Sequence, residues 1–239
     1  MKPALSSFVI FGMLAVTGVA AAQGKPGDRS LFIGDAAPPL TIAQWVRGEP
    51  VGHLDNGTIY VVEFWATWCG PCVQAIPHVS RLQERYRDRG VVIVGIGSVE
   101  PDGAAKVPPF VARFGNRMNY RVAVDDYTGA EDGRTYTAWV KASGKDGLPC
   151  AFVVGRDGKI AWAGHPMGMD DALERVVAGT FDPVKEFGGR EAQRLMALAN
   201  HTKDSVEANR ILDEAARLPQ PPPEGGKGVK RGQKSEGVV

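Results

Sequence analysis

The chain has 239 residues, of which 44% are hydrophobic, and its formal net charge is +1. A chain of this length can build one ordinary hydrophobic core with an appendage, and its balanced charge gives no electrostatic reason to expect nucleic acid or an acidic membrane as a partner. Its three cysteines are too few for a disulfide-stapled scaffold and leave one pair and one extra thiol.

The N-terminal segment has the pattern of a secretory signal peptide. Met1-Lys2 gives a positive start, residues 8–20 form an apolar stretch, and three alanines at 20–22 resemble a cleavage site. We therefore expect residues 1–22 to be removed and the mature protein to work in an oxidising compartment, most simply a bacterial periplasm. The apolar stretch is short for a membrane span, and an uncleaved anchor is the alternative interpretation.

Two short apolar pieces between residues 23 and 60 predict edge strands. One contains Trp45-Val46, and the other runs from Val51 to Leu54. The sequence Asp55-Asn56-Gly57-Thr58 then predicts a turn before the next strand.

Residues Ile59 to Trp65 are apolar on both faces apart from one residue, which predicts a strand buried in a parallel sheet. After Cys69-Gly70-Pro71-Cys72, apolar residues recur with helical spacing at Ala75, Val79, Leu82 and Tyr86. Cys69 therefore lies at a helix N-terminus, where backbone N–H groups and the helix dipole favour thiolate over thiol. We predict Cys69 to be the reactive thiol and Cys72 to be the resolving thiol.

The residue that interrupts this apolar strand is Glu63, six positions before Cys69. Burial should raise the pKa of its carboxyl group, and the carboxylate could then accept the proton of Cys72 when Cys72 attacks a mixed disulfide. The alternative is that the strand lies at the edge of the sheet and that Glu63 is solvated.

The stretch Phe64-Trp65-Ala66-Thr67-Trp68-Cys69-Gly70-Pro71-Cys72 resembles the active-site signature of the thioredoxin superfamily, specifically its secreted TlpA/ResA-like thiol-disulfide oxidoreductases. The resemblance covers residues 31–181 and implies an α/β, thioredoxin-like fold, in which helices cover both faces of a central mixed sheet. It also implies that the acid at the position of Glu63 assists proton transfer to the second cysteine, and that Trp68, Gly70 and Pro71 contact the substrate. Pro77 matches a kink that this family carries inside the helix.

The middle of the chain continues the alternation of strands and helices. Residues 91–96 predict a strand parallel to the preceding one, since a strand–helix–strand order implies a right-handed crossover. Residues 107–114 predict a short helix with Pro108-Pro109 at its start. We also predict a strand over 120–124 and a helix over 135–142; TlpA/ResA-like proteins carry an insertion of this kind.

A proline opens the next predicted strand, at Leu148-Pro149. In the thioredoxin superfamily the proline at this place is cis and lies against the cysteine pair, so the resemblance implies a cis bond here, with an ordinary trans bond as the alternative. The backbone of Leu148 would then be free to pair with an extended substrate segment. Cys150 follows directly, either as a small buried hydrophobe or as a third thiol that exchanges with Cys72.

The C-terminal part begins with a hairpin over residues 153–164 and a helix over 169–178. Beyond residue 181 the resemblance ends. We expect a thioredoxin-like domain over 23–181, a C-terminal helical extension over 182–218 and a disordered tail over 219–239, which is rich in Pro, Gly and Lys. The extension contains two amphipathic helices, and we favour their packing on the core over a docking role.

These features predict a periplasmic thiol-disulfide oxidoreductase that reduces protein disulfides without a cofactor. The Gly-Pro between its cysteines is that of reducing thioredoxins, so the resemblance favours a reductase that a membrane thiol donor recharges. The expected partners are proteins with disulfides or thiols and not nucleic acid; the oligomeric state is left open.

Two alternatives come from other functional classes. A peroxiredoxin-like peroxide reductase would need a Pro-x-x-x-Thr-x-x-Cys loop, which the residues around Thr67 do not provide. A thioredoxin-fold copper chaperone would use Cys69, Cys72 and a histidine such as His165. A zinc site is disfavoured, because the sequence has no second Cys-x-x-Cys and no His-x-x-x-His to complete it.

Overall fold

The computed structural model describes residues 30–101 and 103–218. The predicted signal peptide and the predicted disordered tail lie outside this part of the chain. Within it, none of the helices has the length and hydrophobicity that a membrane crossing requires.

Six strands form one mixed sheet: β1 (Ile42–Arg47), β2 (Ile59–Trp65), β3 (Val91–Gly97), β4 (Arg121–Asp125), β5 (Cys150–Val154) and β6 (Ile160–Gly164). Their order in the sheet is β1-β4-β3-β2-β5-β6. Strands β2, β3 and β4 are parallel, while β1, β5 and β6 run antiparallel to their neighbours. Strand β2 therefore lies inside the sheet, and all seven of its residues are buried. The alternative that placed Glu63 on an edge strand is wrong.

Helices cover both faces of this sheet, as the sequence predicts. On one face, Ile59, Val61 and Trp65 of β2 pack in a core with helices α1 (Gly70–Tyr86), α2 (Val107–Phe114) and, further along the chain, α4 (Asp170–Ala178). On the other face, the intervening residues of β2 pack against α3 (Arg134–Tyr136), which continues as a π-helical turn over Thr137–Lys141. We refer to these as the α1 face and the α3 face.

Three further helices follow the sheet: α5 (Pro183–Phe187), α6 (Arg190–His201) and α7 (Ser205–Arg217). Helices α6 and α7 pack on each other through Leu195, Ala199, Ile211 and Ala215. The side chain of Gln193 joins α6 to the start of the described chain, because it accepts a hydrogen bond from the Ile33 N–H and donates one to the Ile33 carbonyl. Ile33 and Phe187 of α5 both pack in the core of the α3 face, so α5 and α6 lie against that face, and α7 packs on α6.

One strand prediction is wrong. Residues 51–54 form a loop instead of an edge strand, although Trp45-Val46 lie in the edge strand β1 as predicted. Val51 and Leu54 still pack in the core of the α3 face. Each is apolar because it is buried there individually and not because it belongs to a strand. Gly52 and the turn at Asp55–Gly57 leave too little extended backbone between them for a paired strand.

A buried carboxylate closes the end of β4. Asp125 accepts hydrogen bonds from the Ser98 hydroxyl at 2.8 Å and from the backbone N–H groups of Thr135 and Tyr136 at 2.8 and 2.9 Å. Burial raises its pKa, and these hydrogen bonds act in the opposite direction. The carboxylate therefore holds the start of α3 against the sheet.

Gly133→Ala is expected to lower the free energy of unfolding by about 2–5 kcal/mol. Gly133 has a φ of +104°, and a Cβ atom there would lie 2.3 Å from Asp125 Oδ2, so the variant combines backbone strain with a clash against a buried carboxylate. Gly129→Ala is the matched control, because Gly129 also has a positive φ, of +72°, but no atom lies within 4 Å of the added Cβ. Urea denaturation should show a loss of only about 1 kcal/mol for the control; equal losses would contradict the clash.

Candidate active site

The two cysteines of the Cys-Gly-Pro-Cys motif form a disulfide at the N-terminus of α1. Cys69 is the N-cap residue, and its Sγ atom accepts a hydrogen bond from the Cys72 N–H at 3.2 Å. Pro71 occupies the first turn, where its missing N–H costs no intrahelical hydrogen bond. The predicted position of the pair is therefore confirmed, and the geometry directs a backbone donor at the sulfur that should carry the thiolate after reduction.

Trp68 is the large exposed side chain beside this pair, with 57% of its surface accessible. Its Nε1–H donates to the Val99 carbonyl at 2.7 Å, so the indole is fixed although it faces solvent. The preceding residue, Thr67, donates from its backbone N–H and its hydroxyl to the two carboxylate oxygens of Glu100, at 2.6 and 2.9 Å.

Val99 and Glu100 thus hold the segment that leads into Cys69, and sequence reasoning missed them. Val99 has a φ of +55°, which is unusual for a β-branched residue, and Glu100 is buried. The available signal was the acidic residue just beyond the carboxyl end of β3, the edge of a parallel sheet where ligand sites form.

Glu63 lies at the middle of the sheet, paired with Gly95 of β3 and Ala151 of β5. Only 1% of its surface is exposed, and burial raises its pKa from 4.5 to about 8. The burial and the raised pKa that the sequence predicts are both present. Strand alternation places Glu63 with Val61 and Trp65 on the α1 face, whose core also contains Cys72.

The Leu148-Pro149 peptide bond is cis, as expected. Strand β5 pairs antiparallel with β2, and Cys150 is opposite Phe64. Leu148-Pro149 therefore lies beside the end of β2 from which the chain runs to Cys69. Leu148 is only partly buried and contacts the cores of both faces.

Cys150 is a buried free thiol on the α3 face, where it packs with Phe64 and Phe152. Burial raises its pKa to about 12, so very little of it is thiolate at neutral pH. Cys72 packs on the α1 face. The sheet therefore separates the two sulfurs, which favours the interpretation of Cys150 as a small hydrophobe.

We expect oxidised protein to contain only the Cys69–Cys72 bridge. Non-reducing peptide mapping after treatment with diamide should recover Cys150 as a free thiol, and alkylation of Cys150 should require unfolding, because the thiolate is the reactive form. A peptide that joins Cys72 to Cys150 would contradict this prediction.

The structure brings no third metal ligand to the cysteines within residues 30–101 and 103–218, where no cluster of three or more His, Cys, Asp or Glu residues is arranged to hold a metal ion. His165, the ligand of the copper alternative, uses its Nδ1 atom to accept a hydrogen bond from the Met167 N–H and so caps a 3₁₀ turn.

Residues 33–172 match the model of the Redoxin family. Protein FixW of Rhizobium leguminosarum is 32% identical over 157 residues, which cover 64% of this chain and 69% of that protein. The thiol-disulfide oxidoreductase ResA of Bacillus thuringiensis subsp. konkukian is 30% identical over 134 residues, which cover 56% of this chain and 69% of that protein.

Among solved structures, a thiol-disulfide isomerase from Corynebacterium glutamicum superposes with a TM-score of 0.50 at 23% identity, over 61% of this chain and 97% of that one. At this identity the likeness concerns the fold alone. Together with the mixed sheet and its covering helices, it confirms the predicted thioredoxin-like fold with C-terminal helices.

Proposed function

The chain belongs to the Redoxin family as a TlpA/ResA-like member, and on that premise we propose that it is a periplasmic thiol-disulfide oxidoreductase that reduces protein disulfides. The observation that carries the proposal is the Cys69–Cys72 disulfide at the N-terminus of α1, on the same sheet face as a buried acid. The relatives named above as thiol-disulfide oxidoreductases support the reaction class.

The proposed reaction has two exchange steps. The Cys69 thiolate attacks one sulfur of a substrate disulfide; the other substrate sulfur leaves as a thiolate and takes a proton from solvent. Cys72 then loses its proton and attacks Cys69 Sγ, which breaks the mixed disulfide and releases the second substrate thiolate. Two electrons pass from the protein to the substrate, and the Cys69–Cys72 disulfide of the structure is the product state. An external dithiol has to reduce it before the next cycle.

Glu63 is the proposed proton acceptor for Cys72. A carboxylate with the ordinary pKa of 4.5 would be a much weaker base than a thiolate, since a free thiol titrates near ~8.5. Burial brings the pKa of Glu63 to about 8, so a proton moves between the two groups at little cost. Because only ionised Glu63 can accept, the second step should accelerate as the pH rises towards about 8.

Substrate binding is assigned to the surface around Cys69. The exposed indole of Trp68 and the backbone at Gly70 and Pro71 would contact the segment that flanks the substrate cysteine. The partly buried Leu148, beside the cis proline Pro149, would pair its backbone with that segment in the manner of strand addition.

The proposed compartment rests on the sequence of the leader, and the proposed electron donor rests on the resemblance to reducing thioredoxins. A secretory leader over residues 1–22 would deliver the protein to the periplasm, where a membrane thiol donor would return the pair to its reduced form. N-terminal sequencing of the mature protein should begin at Gln23. An intact Met1 on protein recovered from the cytoplasm would contradict this assignment.

The test of the function is a single-turnover assay with reduced protein and a peptide disulfide. We expect one peptide disulfide to be reduced per protein molecule, no reduction by Cys69→Ser and full reduction by the control variant Cys150→Ser. Hydrogen peroxide consumed in preference to the peptide disulfide would contradict the proposal in favour of a peroxide reductase. A stoichiometric copper complex without disulfide reduction would contradict it in favour of a metal chaperone.

A further inference from the structure

Three buried side chains, those of Glu63, Trp65 and Tyr120, converge on Gly95 of β3. A Cβ atom placed on Gly95 would lie 3.2 Å from Glu63 Oε2, 3.2 Å from Trp65 Nε1 and 2.8 Å from Cε2 of the Tyr120 ring. Any larger residue at position 95 would push these groups apart. The absence of a side chain there is what allows the tyrosine ring to lie beside the carboxyl group.

One polar atom of each of these three side chains lacks a hydrogen-bond partner among the described residues. Glu63 Oε2, Trp65 Nε1 and the Tyr120 hydroxyl are each inaccessible to solvent, and none has a partner in that part of the chain. Leaving a buried polar group unpaired is costly, so three such groups beside one glycine point to a shared role. Two of them, the indole N–H and the phenol O–H, are hydrogen-bond donors, and the third is the acid to which we assign proton transfer.

We propose that Tyr120 is a positioning residue for Glu63, whose hydroxyl, with the Trp65 N–H as second donor, holds the carboxylate when Glu63 is ionised and able to accept the Cys72 proton. This inference rests on the proposed function of Glu63. The neutral carboxyl group has little need of these donors, whereas the ionised group, far from water, gains from both. The donors therefore act in the one state in which Glu63 is a base.

Few groups near Glu63 other than Tyr120 and Trp65 could stabilise its ionised carboxylate. The charge of Glu63 raises the pKa of Tyr120 further above its ordinary value, beyond the effect of burial, and contributes to the raised pKa of Cys150. Cys69 and Cys72 in α1 titrate only after reduction. Within the described residues, no lysine, arginine or histidine contributes to the shift of the Glu63 pKa, which burial alone causes.

Tyr120→Phe tests the inference, since it removes the hydroxyl and keeps the ring against Gly95. We expect the pKa of Glu63 to rise by about one unit, because a hydrogen bond to a charged group is lost, and the pH profile of the Cys72 attack to move upwards equally. The pKa can be followed by ¹³C NMR of labelled glutamate carboxyl groups, with Glu63→Gln to assign the resonance. Tyr86→Phe is the matched control. The Tyr86 hydroxyl is also buried without a hydrogen-bond partner in the described chain, but the charges that affect it are those of Arg85, Arg89, Glu174 and Asp170 and not that of Glu63.

An unchanged Glu63 pKa in Tyr120→Phe would overturn the role of Tyr120, and so would an equal shift in Tyr86→Phe. The two proposals can fail separately, because the NMR titration needs no substrate. If the pKa of Glu63 is the same in Tyr120→Phe as in the wild type, the positioning role of Tyr120 is overturned, even where Glu63→Gln slows the Cys72 attack. If Glu63→Gln leaves the rate of the Cys72 attack unchanged, the proton-acceptor role of Glu63 is overturned, whatever the NMR titration shows.

Discussion

Cys72→Ser is expected to accumulate covalent complexes with substrate proteins, while Cys69→Ser is expected to form none. Cys69 is the N-cap of α1 and accepts a hydrogen bond from the helix backbone, so it is the sulfur that should attack first. Cys72 is fully buried and can reach a mixed disulfide only through Cys69. Without it, the mixed disulfide has to wait for a thiol from solution.

The expected effect is large, because a well-oriented neighbouring group acts at an effective concentration far above that of any dissolved thiol. We expect substrate release from Cys72→Ser to slow by about 10³-fold or more. Adducts should be visible on non-reducing gels of extracts from cells that express the variant and should disappear with dithiothreitol. Mass spectrometry of those adducts would also name the client proteins.

Cys150→Ser supplies the control for this experiment, in combination with each of the two variants. Trapping by Cys72→Ser should persist when Cys150 is also replaced, since the sheet separates Cys150 from the pair. Equal trapping by the Cys69 and Cys72 variants would contradict the assignment of attacking and resolving roles.

Local chemistry explains what could be predicted from the sequence. Strand β2 was predictable because a continuous apolar stretch that ends in a cysteine pair and a helical pattern leaves little choice of structure, and the observed strand covers the predicted residues Ile59–Trp65. Helix α2 was predictable because Pro108-Pro109 can only stand at a helix start. The burial of Glu63 was the favoured interpretation, because its neighbours in the strand are all apolar, and the structure decided against the alternative of a solvated edge strand.

Contacts between distant segments could not be predicted in this way. Glu100 accepts a hydrogen bond from Thr67, 33 positions away in the sequence, and Val99 accepts one from Trp68, 31 positions away. Neither contact produces a periodic pattern in the sequence. The approach of Tyr120 to Glu63 depends on the register of β2 against β3, which sets Gly95 beside the acid. The wrong strand prediction at residues 51–54 has the same origin. Val51 and Leu54 pack in the core of the α3 face, which segments distant in sequence form, and their burial does not come from alternation along a strand.

Glu63→Gln is expected to stabilise the oxidised protein, by an amount that grows with pH. In the folded protein the pKa of Glu63 is about 8, whereas in the unfolded chain it returns to its ordinary value of 4.5. Between these values the folded state binds more protons than the unfolded state, so the free energy of unfolding of the wild type falls as the pH rises. The fall is about 1.4 kcal/mol per pH unit, which amounts to about 5 kcal/mol above pH 8. Glutamine cannot ionise, and the variant escapes this loss.

Urea denaturation of the wild type and of Glu63→Gln measures the difference in their free energies of unfolding directly. The buffer should contain neither thiols nor oxidants, so that the disulfide stays intact. The difference should be small near pH 4.5 and should approach about 5 kcal/mol at pH 8 and above. Glu131→Gln removes an exposed carboxylate and should show a difference that hardly changes over the same range. A pH-independent difference for Glu63→Gln would mean that Glu63 is ionised as readily in the folded protein as in water, and the proton-acceptor role would lose its physical basis. A stabilised variant that also resolves mixed disulfides slowly would instead show that the fold tolerates a destabilising buried acid because the reaction requires it.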